Sequence, residues 1–374
     1  MKRKKERIAS LQALRALAFL GIFFAHSGFF ISWSSLGVSI FFVLSGYLMT
    51  YSSEGKKIGA SLSGNAKMAV SRIRSLYPLH IITMILAAVL AFIVILRAQN
   101  PGKEIPALLG EILLNVFLLQ SWFPDSRVNV SLNGVAWYLS VSVFLYFIFP
   151  WILLFIRKCS KRALVILCVL ILAVQLAGCI PFIHFLGNEN PVYIWYMYCF
   201  PVFRAGDFFI GCCLGIIYKR RPFANARGAA AVNTPVLIRY TAFEAAATIL
   251  TTITYLWLSI NHTNLFQLAF HNQTTVFIPL AVLWIYLFAE KKGLITAVLS
   301  NRLLYRLGNI SSYLFLIHFV VIRYFIKIVN HFGIDPTGWL RLCTVAAEFA
   351  LSVLLSHIWA DFFTSRHHSA RSQA

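Results

Sequence analysis

Long apolar runs recur from one end of this chain to the other, and short basic clusters separate them. The stretch "LHIITMILAAVLAFIVIL" from Leu79 to Leu96 contains no Asp, Glu, Lys or Arg. A helix of about 20 apolar residues spans the roughly 30 Å hydrocarbon core of a bilayer. Inside that core every backbone N–H and C=O needs a partner within the protein, which leaves helices or closed barrels. Barrel strands are short and alternate apolar with polar residues, whereas these runs are long and continuous. The pattern therefore predicts an all-α polytopic membrane protein.

Composition agrees. Of 374 residues, 59% are hydrophobic and 12% charged, against about 25% charged in soluble domains. The net charge of +21 would suit nucleic acid if the basic residues formed one surface, but they are dispersed between the apolar runs. They stand in "KRKKER", in Lys56–Lys57, in "RIR" at Arg72–Arg74, and in "RKCSKR", "YKRR" and "AEKK". Such clusters mark cytoplasmic loops and favour anionic lipid headgroups. The bilayer is the expected partner, with no nucleic acid. Seven cysteines occur mostly within apolar runs without a CxxC, so they read as buried thiols, with no metal site expected. The first apolar run lacks a small-x-small cleavage site and is long enough to span, so no cleavable signal peptide is expected.

With basic loops placed inside, the spans follow at about 8–30, 37–51, 78–96, 135–156, 162–180, 194–218, 236–260, 274–288, 311–329 and 338–361. The run at about 105–120 would make three crossings between two inside loops. It is short and carries Glu111 and Asn115, so it reads as a re-entrant or interfacial helix. The expectation is about ten transmembrane helices plus that helix, with both termini cytoplasmic. Residues 1–374 are expected to form a single membrane domain, with no fused soluble one.

Polar residues inside the spans carry the functional argument. An Arg at a helix centre costs about 2.5–3.5 kcal/mol on insertion scales and tends to face the bundle interior. Arg15 and His26 are eleven residues apart in "RALAFLGIFFAH", which is three turns plus about 20°, so they share one helix face. Their axial separation is about 16 Å, too far for a compact pair. They read as two stations on one passage: an inner cation suited to phosphate and an outer base suited to proton transfer or covalent relay. Snorkelling by Arg15 and a packing bond by His26 form the competing structural reading. Arg72 and Arg74 stand at the mouth of the third span, suited to phosphates or to lipid headgroups. Trp137 and Tyr138 suit the outer interface. Gly37, Ser45 and Gly46 permit close helix approach. Arg204 and Asp207 sit at i, i+3 and read as a structural ion pair. His318, alone in its span, reads as a packing hydrogen bond.

Five motifs in order resemble the acyltransferase-3 family of bacterial membrane acyltransferases: Arg15 with His26, "GVSIFFVLSG", "RIRSLYP", "WYLSVS" and "LGNISSYLFLIH". The resemblance runs from Leu11 to about Ile322. It implies an O-acyltransferase of the bacterial cytoplasmic membrane with acyl-CoA, most simply acetyl-CoA, as donor substrate and no tightly bound cofactor. The acceptor would be a hydroxyl of a surface or lipid-linked glycan. It further implies His26 as general base or acyl relay and Arg15, Arg72 and Arg74 as the grip on CoA, with Trp137 and Ser142 in the substrate-binding motif. Two positions depart: Ser75 replaces the second arginine of the junction, and Ser142 replaces a glutamate. A flippase for lipid-linked glycans and a non-catalytic relative are the alternative readings.

Overall fold

The structure is a computed structural model. It describes residues 2–29, 33–53, 55–98, 100–186, 190–220, 233–260, 275–334 and 336–372. Among these residues the regular structure is helical, with no strand. The α-helices are α1 (Lys2–His26), α2 (Trp33–Ser53), α3 (Leu62–Ile73), α4 (Tyr77–Leu96), α5 (Pro101–Val116) and α6 (Ser126–Asn129). There follow α7 (Trp137–Lys158), α8 (Lys161–Ala177), α9 (Cys179–Leu186), α10 (Pro191–Tyr198), α11 (Pro201–Lys219) and α12 (Thr234–Ile260). The last are α13 (Ile278–Glu290), α14 (Leu294–Leu299), α15 (Arg302–His331) and α16 (Gly338–Ser372).

Nine described helical segments are long and apolar enough to cross a membrane, and Thr275–Glu290 is a shorter apolar helix. That short segment occupies the place of the expected eighth span. The geometry of α15 indicates that the chain crosses there. Gly308 abuts the backbone of Gln12, Ser312 bonds Arg15 and His318 bonds His26. Positions rise together on both helices, so α1 and α15 run parallel. Parallel orientation requires the chain to reverse once more between α12 and α15, and Thr275–Glu290 is the apolar helix placed to do so. At about 1.5 Å per residue it is shorter than the full hydrocarbon thickness.

Several boundaries differ from the sequence expectation, each for a local reason. The first span stops at His26 rather than Phe30. Gly28 adopts φ +80, and the amides of Gly28 and Phe29 turn back onto Ala25 and Phe24, a left-handed helix stop. The helix expected over 105–120 ends at Val116. Leu118 has φ +56, and Leu119 N donates to Leu114 O at 2.8 Å. The expected 194–218 span is two helices, α10 and α11, broken before Pro201. Proline has no N–H to continue the ladder and pushes the preceding residue out of helical geometry. The span expected to begin at Ser311 begins at Arg302, capped by Asn301 Oδ1 accepting from Leu304 N at 2.9 Å.

The outer helices α4 and α8 expose Ile85, Val89, Val165 and Val169, as lipid-facing helices do. Lipid tails solvate leucine as well as a protein core does, so helix association in a bilayer rests on close packing and polar contacts. The crossing of α2 with α11 shows the packing. A Cβ at Gly211 would overlap the carbonyl of Val43, and one at Gly46 would overlap that of Phe208. Only glycine lets these backbones meet. Gly46→Leu is expected to cost about 1–3 kcal/mol by overpacking, read as a lower thermal midpoint in detergent. An unchanged midpoint would show that this crossing does not hold the bundle together.

Candidate active site

The candidate site lies where α1 meets α15. Arg15 Nη2 donates to Ser312 Oγ at 2.6 Å. His26 Nδ1 lies 2.9 Å from His318 Nε2. Ala18, Phe19 and Ile22 fill the α1 face between the two polar residues, all buried. The parallel helices therefore share two polar contacts, one near the middle of α1 and one at its last residue.

His318 is not a lone packing histidine. Its ring lies 5.1 Å from that of His26 at an interplanar angle of 22°. It is completely buried, and its Nδ1 lies 3.0 Å from Leu314 O. Phe19 meets it edge-on at 5.4 Å. His26 is half-buried, with Phe319 edge-on at 5.3 Å. The sequence could not show this pair, because each histidine sits on its own helix and their partnership follows only from which helices pack.

A cavity of about 340 Å³ opens beside Arg15, large enough for a small-molecule ligand. Its wall includes Ser45 of α2, Arg72 of α3, Tyr138, Ser142 and Tyr146 of α7, and Ser312 and Phe315 of α15. Four elements thus converge on Arg15 of α1. Ser142 donates to its own helix at Tyr138 O, 2.8 Å away, so its hydroxyl is committed locally. Tyr138, expected at the outer interface, faces this cavity instead.

The other expected site residues fall elsewhere. Arg74 is exposed as the C-cap of α3, outside the cavity wall. Trp137 is buried rather than interfacial, packed against Tyr198 at 4.8 Å, and it does not line the cavity either. The histidine pair also stands apart from the cavity. Phe315 lines the cavity and has its ring 5.9 Å from that of His318. The single passage expected from Arg15 to His26 is thus divided by Phe19 and Phe315 into an arginine-lined chamber and a histidine pair.

Arg204 and Asp207 lie away from both. Arg204 Nη1 bonds Asp207 Oδ2 at 2.8 Å with both side chains fully buried. Gln175 Nε2 donates to Asp207 Oδ1 at 2.9 Å. Arg204 Nε donates to Tyr198 O at 2.9 Å. Tyr198 ends α10, so the guanidinium satisfies a carbonyl that the break at Pro201 leaves open. The pair is a splint across a broken helix.

The end of α1 is held from a further side by contacts that no sequence pattern marks. Ser27 Oγ donates to the buried carboxylate Glu348 Oε2 at 3.3 Å, and Arg341 donates to Ser27 O. Both partners belong to α16, so the residue after His26 is clamped to the last helix. Among the described residues there is no group of three or more His, Cys, Asp or Glu suited to a metal ion.

A bundle of apolar helices with buried polar residues on the first and a late span defines a membrane-embedded enzyme or carrier. Comparison with known proteins decides between them. Residues 8–357 match the acyltransferase domain that defines the acyltransferase-3 family, and the chain belongs to that family. The curated acyltransferase MdmB of Streptomyces mycarofaciens is 26% identical over 293 residues, covering 76% of this chain and 67% of that protein. No solved structure matches the chain. This protein is a membrane acyltransferase.

Removing one partner of a buried ion pair strands a charge and costs about 3–5 kcal/mol. Asp207→Ala is expected to lower the thermal midpoint far more than Arg72→Ala, which removes a cation that water can reach. Equal midpoints in the two variants would contradict a structural role for the pair.

Proposed function

We propose that the chain moves an acyl group, most simply acetyl, from acyl-CoA to a hydroxyl of a surface or lipid-linked glycan. The observation that carries this reading is the placement of His26. It ends a membrane helix, paired at 2.9 Å with a second histidine, beyond a chamber into which Arg15 and Arg72 project.

The positive-inside distribution favours a cytoplasmic N-terminus and cytoplasmic basic loops in a bacterial cell, on the side where acyl-CoA is made, and Arg72 of the chamber wall belongs to one of those basic clusters. Both termini are then cytoplasmic. Arg15 and Arg72 offer planar donors to the CoA phosphates, which favours arginine over lysine. Arg74, exposed at the end of α3, adds charge at the entrance. CoA is a consumed substrate here, and no resident cofactor is required.

His26 then acts as general base. It takes the proton of the acceptor hydroxyl as that oxygen forms a bond to the thioester carbonyl carbon. The C–S bond breaks, and the proton passes from His26 to the departing CoA thiolate. In the covalent variant His26 itself accepts the acyl group as the C–S bond breaks and CoA leaves as the thiolate; the glycan oxygen then takes the acyl group as the C–N bond breaks, and its proton passes by way of His26 to the thiolate. Both routes require the acyl end to pass Phe315, whose ring divides the chamber from the histidines.

The test is transfer of labelled acetyl from acetyl-CoA to glycan in membranes. His26→Ala is expected to lower the rate by about 10²–10⁴-fold, the usual worth of a positioned base, while CoA binding persists. Arg15→Ala is expected to raise the KM for acetyl-CoA. Undiminished glycan acetylation in both variants would overturn the proposal and favour lipid-linked glycan transport.

A further inference from the structure

The two histidines fix each other's protons. A neutral imidazole carries one N–H, on either Nδ1 or Nε2. His318 Nδ1 faces the carbonyl oxygen of Leu314 at 3.0 Å. A carbonyl only accepts, so the His318 proton is on Nδ1 and its Nε2 bears a lone pair. That lone pair faces His26 Nδ1 at 2.9 Å. Two lone pairs do not meet at this distance, so His26 carries its own proton on Nδ1. The remaining nitrogen of His26, Nε2, is therefore the one with a free electron pair.

We infer that His318 is the positioning residue of this active site, holding His26 in the Nδ1–H tautomer so that Nε2 is its reacting nitrogen. This rests on the reading of His26 as base or acyl acceptor and specifies which atom acts. The arrangement does for His26 what a buried aspartate does in a Ser–His–Asp triad: it orients the ring and selects the tautomer. It does so with a neutral group, which suits an apolar site, since an unpaired carboxylate there would be costly to bury.

The setting of His318 supports this role. Its ring is enclosed by Phe19, Phe23 and Phe315 at 5.4, 6.2 and 5.9 Å. Turning the ring over would break both polar contacts and place carbon against Leu314 O. The anchor for His318 is a helix carbonyl one turn back on its own helix, which moves only if α15 does. Ser142, where the family's glutamate would stand, keeps its hydroxyl on Tyr138 O and supplies no carboxylate.

During transfer the proton of the acceptor hydroxyl goes to His26 Nε2 as the O–C bond forms, and then to the thiolate sulfur as the C–S bond breaks. The Nδ1 proton stays on His26 throughout, shared with His318 Nε2. In the covalent variant the acyl carbon bonds Nε2 as the C–S bond breaks and CoA leaves as the thiolate, and the same Nδ1–H contact to His318 steadies the cationic acyl-imidazolium. The acceptor oxygen then bonds the acyl carbon as the C–Nε2 bond breaks, and its proton passes by way of Nε2 to the thiolate.

The experiment is nitrogen NMR of the protein labelled with 15N-histidine in lipid nanodiscs, with the His26 and His318 signals assigned from single-site variants. Both rings are expected in the Nδ1–H form, with scalar coupling across the Nδ1–H···Nε2 bond. His26 in the Nε2–H form would overturn the inference. This readout needs no turnover, so it stands apart from whether acyl transfer itself is found. A kinetic arm adds two variants. Gln at 318 can present an acceptor oxygen near the Nε2 position, whereas Met cannot. His318→Met is expected to lower kcat at least 100-fold with the KM for acyl-CoA within about 2-fold, and His318→Gln is expected to recover part of the loss. Equal kcat losses in both variants, or none in His318→Met, would overturn it.

Discussion

The structure depends on the cost of a polar group in hydrocarbon. Each buried polar side chain in the spans must find a partner inside the bundle, and those partners determine which helices meet. Arg15 with Ser312 and His26 with His318 join α1 to α15 in parallel register. Arg204 with Asp207 and the Tyr198 carbonyl repairs the break between α10 and α11. Ser27 with Glu348 and Arg341 ties the end of α1 to α16. The helix that carries His26 is thereby held on two sides, and its last turn is stopped by Gly28.

This tethering bears directly on the chemistry. A base works when it stands within hydrogen-bond reach of the proton it takes and presents the correct nitrogen. In the proposed mechanism, position comes from the end of α1 and its clamp to α16, and the tautomer comes from α15. The chamber around Arg15 is walled by α2, α3 and α7 together with α15. Phe19 and Phe315 stand between this chamber and the histidines.

Much of this was legible in the sequence, for identifiable reasons. The long apolar runs dictate helices because lipid offers the backbone no partners. Arg15 and His26 stood out because ionisable residues are costly there, and helical periodicity put them on one face. The i, i+3 spacing of Arg204 and Asp207 was legible as a pair because both lie on one helix. What could not be read was any contact between helices. His318 looked solitary because nothing in a one-dimensional pattern states which helix faces which. Trp137 carries an aromatic signature of the interface, yet tertiary packing buries it. The break before Pro201 was visible as a proline but was masked by apolar residues on both sides. The continuous route from Arg15 to His26 failed for the same reason: Phe315 enters from another helix.

The central claim is that His26 and His318 act as one unit in acyl transfer. A double-mutant cycle on kcat/KM for acetyl-CoA-dependent glycan acetylation measures this directly. With His26→Ala, His318→Met and the double variant compared in the same membranes, the account predicts that adding His318→Met to His26→Ala costs nothing further. Two losses that multiply in the double variant would mean that the histidines act independently, and would contradict it.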